Sequence, residues 1–397
     1  MGRWRKVVLV SLPALVIGAV LAAIAIEIVV RLRWDPRRGT PGLYAVDPVR
    51  GQRLTPGYDG WFAGVPVHIN ALGFRDTRDY EVAKRPNTFR ILILGDSVTF
   101  GHGCLFDTTY PRLLEERLRA WKPNVDWQVW NLSVPGYNTS QELAQLREVA
   151  ARWQPDLAIV SFFINDLNDN AVLAVPGWVA RQTAAVETAA AQHWYSIEWY
   201  KRVALTAAWR LSKKDAFHDR LANLDALDRL FALTSAVGQL PEQRLTALTP
   251  ADDPMVACDP AANAKAAREA ALLTDELAHS HRWQPWIDAV RALQQMNREG
   301  GFRVVFFLND APDQDVRADR FCQGGNAVIH AALLKTMAEG ATPAASVYDA
   351  VSRLRPSQLP VIDGHAIGNS NRVKADTLFD YLVKSGLVAR KGPPPSV

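Results

Sequence analysis

The chain opens on one long apolar run and then changes to short apolar segments that alternate with helical patterns. Val7 to Val30 is apolar except at Ser11, Pro13 and Glu27. A helix needs about 20 apolar residues to span a bilayer, whereas the apolar part of a secretory signal runs to ~7–15. The length predicts an uncleaved anchor over residues 7–30; Ala23-Ile24-Ala25 could mimic a cleavage site, but the run continues past it. Arg3, Arg5 and Lys6 precede the run and Arg31, Arg33, Arg37 and Arg38 follow it, so charge alone does not orient the helix. Glu27 lies near its end, where a charge can reach the headgroups at little cost.

Residues 31–87 read as a Pro-, Gly- and Arg-rich linker passing into a small β lead-in, with a hairpin over Trp61–Asn70 turning at Gly64-Val65-Pro66. From residue 88 the rhythm becomes strand, loop, helix. Ile91–Leu94, Trp127–Val134 and Leu157–Ile164 are apolar runs of strand length. Tyr110–Trp121 and Ser140–Trp153 between them carry helical spacing. Such alternation predicts parallel strands joined by helices. The rhythm lapses over 171–299, where Ala-rich amphipathic stretches follow one another: Trp178–Ala190, Trp194–Leu211, Asp219–Val237, Ala261–His279 and Trp286–Arg298. This reads as a helical insertion, with Trp178, Trp194 and Trp199 either lining a lid or filling the insertion's own core. The strand Phe302–Leu308, the helix Ala327–Met337, a strand near Ala345–Tyr348 and the helix Arg372–Val383 then restore the α/β pattern over 300–390, before a tail at 391–397.

In open parallel sheets ligands bind beyond the carboxyl ends of the strands. Three of the apolar runs deliver polar residues to that rim: Gly95-Asp96-Ser97, then Asn131 to Thr139 with Pro135-Gly136, then Asn165-Asp166. A fourth polar block, Asp363-Gly364-His365, precedes the last helix. Gly95 to Gly101 resembles the first block of the SGNH hydrolases, the GDSL-type lipase/esterase family, and the other blocks follow in that family's order. The resemblance, to the membrane-anchored bacterial type, covers 90–170 and 300–385. It implies a three-layer α/β/α flavodoxin-like fold with a central parallel sheet, a helical insertion and an N-terminal transmembrane helix.

The same resemblance implies a role for each matching residue. Ser97 would be the nucleophile and His365 its general base, since a serine hydroxyl needs an imidazole in reach to take its proton. Gly136, through its backbone N–H, and Asn165, through its side-chain amide, would hold the oxyanion. In much of the family the carboxylate lies three residues before the His; here position 362 is Ile and Asp363 lies two before, so Asp363 is the expected orienting carboxylate, with Asp310 as the alternative. Two further departures are Phe163, where the family has Gly, and Asn371, where a Gly usually follows the His by six residues. Ile69 to Arg75 resembles an element often found before the first block in membrane-tethered relatives, and reads as packing on the sheet edge. The implied activity is cleavage of an acyl ester, O-acetyl foremost, on a cell-surface carbohydrate or lipid. An O-acyltransferase to polysaccharide, or a silent scaffold for polysaccharide assembly, would keep the same blocks. The resemblance also implies a single-pass protein of the bacterial inner membrane, with residues 1–6 cytoplasmic and the catalytic part periplasmic.

Composition narrows this little further. A length of 397 residues at 48% hydrophobic content allows a large core, and a formal charge of +4 is small for that length. No basic stripe interleaved with aromatics points to nucleic acid. Cys104, Cys258 and Cys322 form neither a Cys-x-x-Cys pair nor a zinc spacing; a Cys258–Cys322 disulfide and three free thiols both fit. His279 and His281, two apart on a helical pattern, point in different directions and make no metal site. No metal or cofactor is expected.

Overall fold

The computed structural model describes residues 3–34, 40–167, 193–200, 245–251, 255–259, 284–299, 301–362 and 365–389. The stretches Trp178–Ala190, Asp219–Val237 and Ala261–His279, with the His279/His281 pair, lie outside them, as does Asp363.

Helix α1 (Arg3–Arg33) contains a stretch from Ser11 to Arg33 of mean hydropathy 2.5, long and apolar enough to cross a membrane by length and composition, and only 6% buried. Its end is tied to the first described part of the insertion. Glu27 accepts hydrogen bonds from the Tyr195 and Ser196 N–H groups at 3.2 and 2.8 Å, and the Arg31 guanidinium donates to the His193 carbonyl at 2.9 Å. Glu27 is thereby buried, with two amide donors.

Two antiparallel pairs form the lead-in: β1 (Tyr44–Asp47) with β2 (Gly51–Leu54), and β3 (Asp59–Phe62) with β4 (Val65–His68). The hairpin turns at Ala63-Gly64, not at the expected Gly64-Val65-Pro66, and Pro66 lies within β4. Both turn residues have positive φ, 52° and 80°, the combination a two-residue turn needs to match strand twist.

Five parallel strands make the main sheet: β5 (Thr88–Leu94), β6 (Asp126–Asn131), β7 (Leu157–Phe162), β9 (Arg303–Leu308) and β12 (Ala344–Ser346), in the order β12-β9-β7-β5-β6. Side chains alternate across the sheet with period two. Leu92, Leu94, Ala158, Val160, Val304 and Phe306 therefore face one layer, built by α4 (Thr139–Trp153), α5 (Gln284–Glu299) and α6 (Gly325–Glu339). Ile91, Ile93, Leu157, Ile159, Val305 and Phe307 face the other, built by α3 (Tyr110–Trp121) and α7 (Asn369–Lys384). Burial on both faces is why these strands are unbroken apolar runs rather than alternating ones. α5 is the Trp286–Arg298 stretch of the sequence, and Trp286, Val290 and Leu293 bury against Phe162 and Phe306 in the sheet layer.

A short second sheet joins β8 (Val256–Ala257), β11 (Arg320–Gln323) and β10 (Asp313–Asp315). Parallel pairing of β8 with β11 brings Cys258 to Cys322, and the two are disulfide-bonded while Cys104 is free and buried. Of the two readings open in the sequence, the described structure takes the bonded one.

Candidate active site

β5 and β7 are adjacent; α3, which follows β5, and α5, which leads into β9, lie on opposite faces of the sheet, an arrangement that opens a crevice at the strands' carboxyl ends. Ser97 follows β5 and Asn165 follows β7, so both arrive there. Gly95 makes the sharp exit from β5: a Cβ at that position would sit 2.3 Å from Thr99 Oγ1, so no other residue fits. Asp96 caps the one-turn helix α2 (Ser97–Phe100), its Oδ1 accepting from the Val98 N–H at 2.8 Å. The cap leaves the Ser97 backbone N–H at the first helical position, among the amides without an intrahelical partner.

The turn is clamped from several sides. Thr99 Oγ donates to Ser161 Oγ at 2.8 Å and accepts from the Tyr110 hydroxyl at 3.0 Å, and the Asn131 amide donates to the Thr99 carbonyl at 3.0 Å. Arg75 contributes most. Its buried guanidinium donates to the carbonyls of Phe100, Gly101 and Cys104 at 2.7, 2.8 and 2.6 Å. Burial lowers its pKa to about 10, which leaves it cationic at neutral pH. The Ile69–Arg75 element, expected only to pack on the sheet edge, thus ends in the residue that fixes the loop after Ser97.

His365 enters on β14 (His365–Ala366), paired antiparallel with β13 (Val361–Ile362). Its Nε2 lies 2.8 Å from Ser97 Oγ across 268 residues of sequence. Behind it, Cys104 Sγ contacts the Ala366 carbonyl at 3.4 Å and accepts from the Asn371 amide at 3.2 Å. Asn371, the departure from the usual Gly, therefore uses its side chain to hold the segment that carries His365. Asp310, the alternative carboxylate, is engaged elsewhere: it binds His330 Nδ1 at 2.5 Å and accepts from Ser346 Oγ at 3.0 Å. Asp363 lies outside the described residues.

Gly136 is exposed with φ +81°, a conformation suited to glycine. The Val134 N–H donates to the Gly95 carbonyl at 3.0 Å, which brings the Gly136 turn to the serine. From the lead-in, Gln52 braces that turn: its side-chain amide donates to the Pro135 carbonyl at 2.9 Å, and its own carbonyl accepts from the Tyr137 hydroxyl at 2.5 Å. Asn165 donates its amide to Asp96 Oδ2 at 3.2 Å, which sets the side chain with Nδ2 toward the Ser97 loop. Asp166 accepts from the Phe163 N–H at 3.3 Å, a local cap, and from Thr139 Oγ1 at the start of α4 at 3.2 Å.

Charge is concentrated under this rim. Burial pushes the Asp96 carboxyl up, while the Val98 N–H, Asn165, His365 and Lys374 pull the other way. Burial lowers buried Lys374 to about 8, opposed by Cys104 and Asp96. Glu142, on α4, is fully buried and neither carboxyl oxygen has a hydrogen-bond partner. Burial first, then Asp166 and Asp96, holds its carboxyl well above the usual carboxylate range. Glu142 and Lys374 carry no motif signal, and only the fold brings them to the site. Among the described residues no group of His, Cys, Asp and Glu is placed to hold a metal ion.

The sequence matches the GDSL-like Lipase/Acylhydrolase family over residues 93–299, just over half of the chain. Solved structures similar to it include TesA, at 14% identity and TM-score 0.36, covering 74% of this chain and 97% of that one. Another is Axe2, an acetylxylan esterase from Geobacillus stearothermophilus, at 12% identity and TM-score 0.33, covering 74% and 94%. A third is LAE5, an alpha/beta hydrolase enzyme from the metagenome of Lake Arreo, Spain, at 14% identity and TM-score 0.35, covering 76% and 96%. No curated relative matches. The chain belongs to the GDSL-like lipase/acylhydrolase family and is a hydrolase acting on esters.

Proposed function

We propose that the protein is a membrane-anchored serine esterase that removes a small acyl group, acetyl foremost, from a carbohydrate or lipid at the outer face of a bacterial inner membrane. The observation that carries this reading is the 2.8 Å contact between His365 Nε2 and Ser97 Oγ. Ser97 Oγ attacks the ester carbonyl as His365 takes its proton. The tetrahedral oxyanion is held by the Ser97 and Gly136 N–H groups and the second N–H of the Asn165 amide. His365 then returns the proton to the leaving alcohol, and a water activated by His365 cleaves the acyl-serine. Asp363 orients the imidazole and balances its charge. The same acyl-enzyme would deliver its acyl group to a polysaccharide hydroxyl if one replaced water. The formed Ser97–His365 contact speaks against a catalytically silent scaffold.

Residues 7–30 anchor the protein, 31–87 brace the site, 88–170 and 300–390 form the hydrolase unit together with α5, which packs on the sheet, and the part of 171–299 before α5 forms a lid. The lid reading draws on where the insertion starts, soon after Asn165, and on the bonds that tie residues 193–196 to Glu27 and Arg31. Half-buried Phe163, beside Asn165 in place of Gly, supports a small acyl pocket. Turnover of p-nitrophenyl acetate and octanoate by the full chain in detergent tests both parts. Acetate turnover that needs Ser97 and falls in Asp363→Asn is expected. A preference for octanoate would refute the small pocket, and turnover surviving in Ser97→Ala would refute the nucleophile.

A further inference from the structure

Next to the Ser97–His365 pair stands a second imidazole that the acyl-transfer chemistry does not use. The His102 ring lies flat against His365, with centroids 4.1 Å apart and planes inclined by 21°. It is held there from two directions. Its backbone N–H donates to the Ser97 carbonyl at 3.0 Å, and Phe62 of β3 meets its ring edge-on at 5.2 Å. Phe62 is itself seated edge-on against Phe100 at 5.8 Å, within the loop whose carbonyls Arg75 gathers. The stacking partner of the general base is thus fixed by the lead-in hairpin, by α2 and by Arg75.

We propose that His102 is a positioning residue: its neutral aromatic face stabilises the imidazolium that His365 becomes on taking the Ser97 proton. This rests on the reading of Ser97 and His365 as nucleophile and base. An aromatic face within about 6 Å attracts a cation, more strongly where water is excluded. The face must itself be uncharged. Burial, then His365 and Arg75, lowers the His102 pKa to about 3, so the ring is neutral throughout the working range. Other charged or titratable groups bear on the pair from the elements around it. Asp96 interacts with His365 from the β5–α2 turn, and Arg75 with His102 from the lead-in. Lys374 of α7 acts on Asp96, and Lys374 and Cys104, in the loop after α2, act on each other. Arg75 disfavours a positive charge on His102, which leaves the ring as a neutral π-face, suited to a task that a charged neighbour could not perform.

Because the face favours protonated His365, removing it has two linked effects. The base titrates at lower pH, and the plateau rate falls, since the imidazolium exists in the transition state. The test is the pH profile of kcat/KM and kcat for p-nitrophenyl acetate, with full-length wild type, His102→Leu, His102→Gln, His102→Phe and Ser97→Ala. Leu and Gln, which lack a π-face, are expected to move the acid limb down by about half to one pH unit and to lower kcat roughly tenfold, with KM within about twofold. Phe restores the face and is expected to return both quantities to within about twofold of wild type. An unshifted acid limb in Leu and Gln, or a Phe variant no better than they are, overturns the proposal while Ser97→Ala stays inactive. Turnover surviving in Ser97→Ala overturns the underlying reading and the proposal with it.

Discussion

Replacing Arg75 with Met tests whether the lead-in holds the loop after Ser97. The Met side chain keeps most of the buried volume but removes the charge and every donor. Three carbonyls, those of Phe100, Gly101 and Cys104, then lose partners now at 2.7, 2.8 and 2.6 Å. Hydrogen bonds to a charged group contribute about 1.5–3 kcal/mol each, and a buried acceptor left without a donor costs about 1–3 kcal/mol. Full addition would exceed what one site can lose, because the loop opens and water reaches some of the carbonyls; part of the loss is also offset, since the guanidinium no longer has to be desolvated. A net local loss of about 3–4 kcal/mol remains, a factor of roughly 10² to 10³ in an opening equilibrium. The assay is hydrogen–deuterium exchange of the peptide covering residues 97–104, with β7 as internal control, beside the rate of labelling by a fluorophosphonate. Protection over 97–104 should fall by about that factor while β7 is unchanged, since local opening is governed by local contacts. Labelling should slow at least tenfold. Wild-type protection with wild-type labelling would show that Arg75 packs on the loop without holding it.

Two further perturbations address the oxyanion side of the site. Asn165→Ala should lower kcat by about 10²–10³-fold with little change in KM, as for loss of one oxyanion donor; a kcat within fivefold of wild type would remove Asn165 from that role. Glu142→Gln replaces a buried carboxyl by an amide that does not titrate. Its folded pKa is raised above the unfolded value, so native Glu142 binds more protons than unfolded Glu142 between the two, and the stability present below the unfolded pKa is lost as pH rises toward the folded one. The variant should therefore melt higher than wild type at pH 8 and show little difference at pH 4.5. An equal shift at both pH values would mean that the carboxyl is not the cause.

The sheet strands were legible because burial on both faces writes them as bare apolar runs: β7 and β9 lie within the expected segments, while β5 begins at Thr88, three residues before the expected Ile91–Leu94. The hairpin turn was misplaced because Pro66 looks like a turn residue, whereas the lead-in fold imposes positive φ on Ala63. The blocks that carry Ser97 and His365 stand out in the sequence, and the fold brings the two side chains to 2.8 Å. Arg75 was not: its acceptors lie 25 to 29 residues downstream and carry no side-chain signature, being carbonyls. Asp310 misled for a related reason. Its place after β9 is clear from sequence, but not that His330 of α6 and Ser346 of β12 would claim both of its oxygens.

The most direct test of the central claim is the reaction of the full-length protein with a fluorophosphonate, read by intact mass, beside Ser97→Ala and His365→Ala. An activated serine predicts one adduct per chain, none in Ser97→Ala, and a sharp slowing in His365→Ala. No adduct on folded wild-type protein, or an adduct that persists in Ser97→Ala, would contradict it.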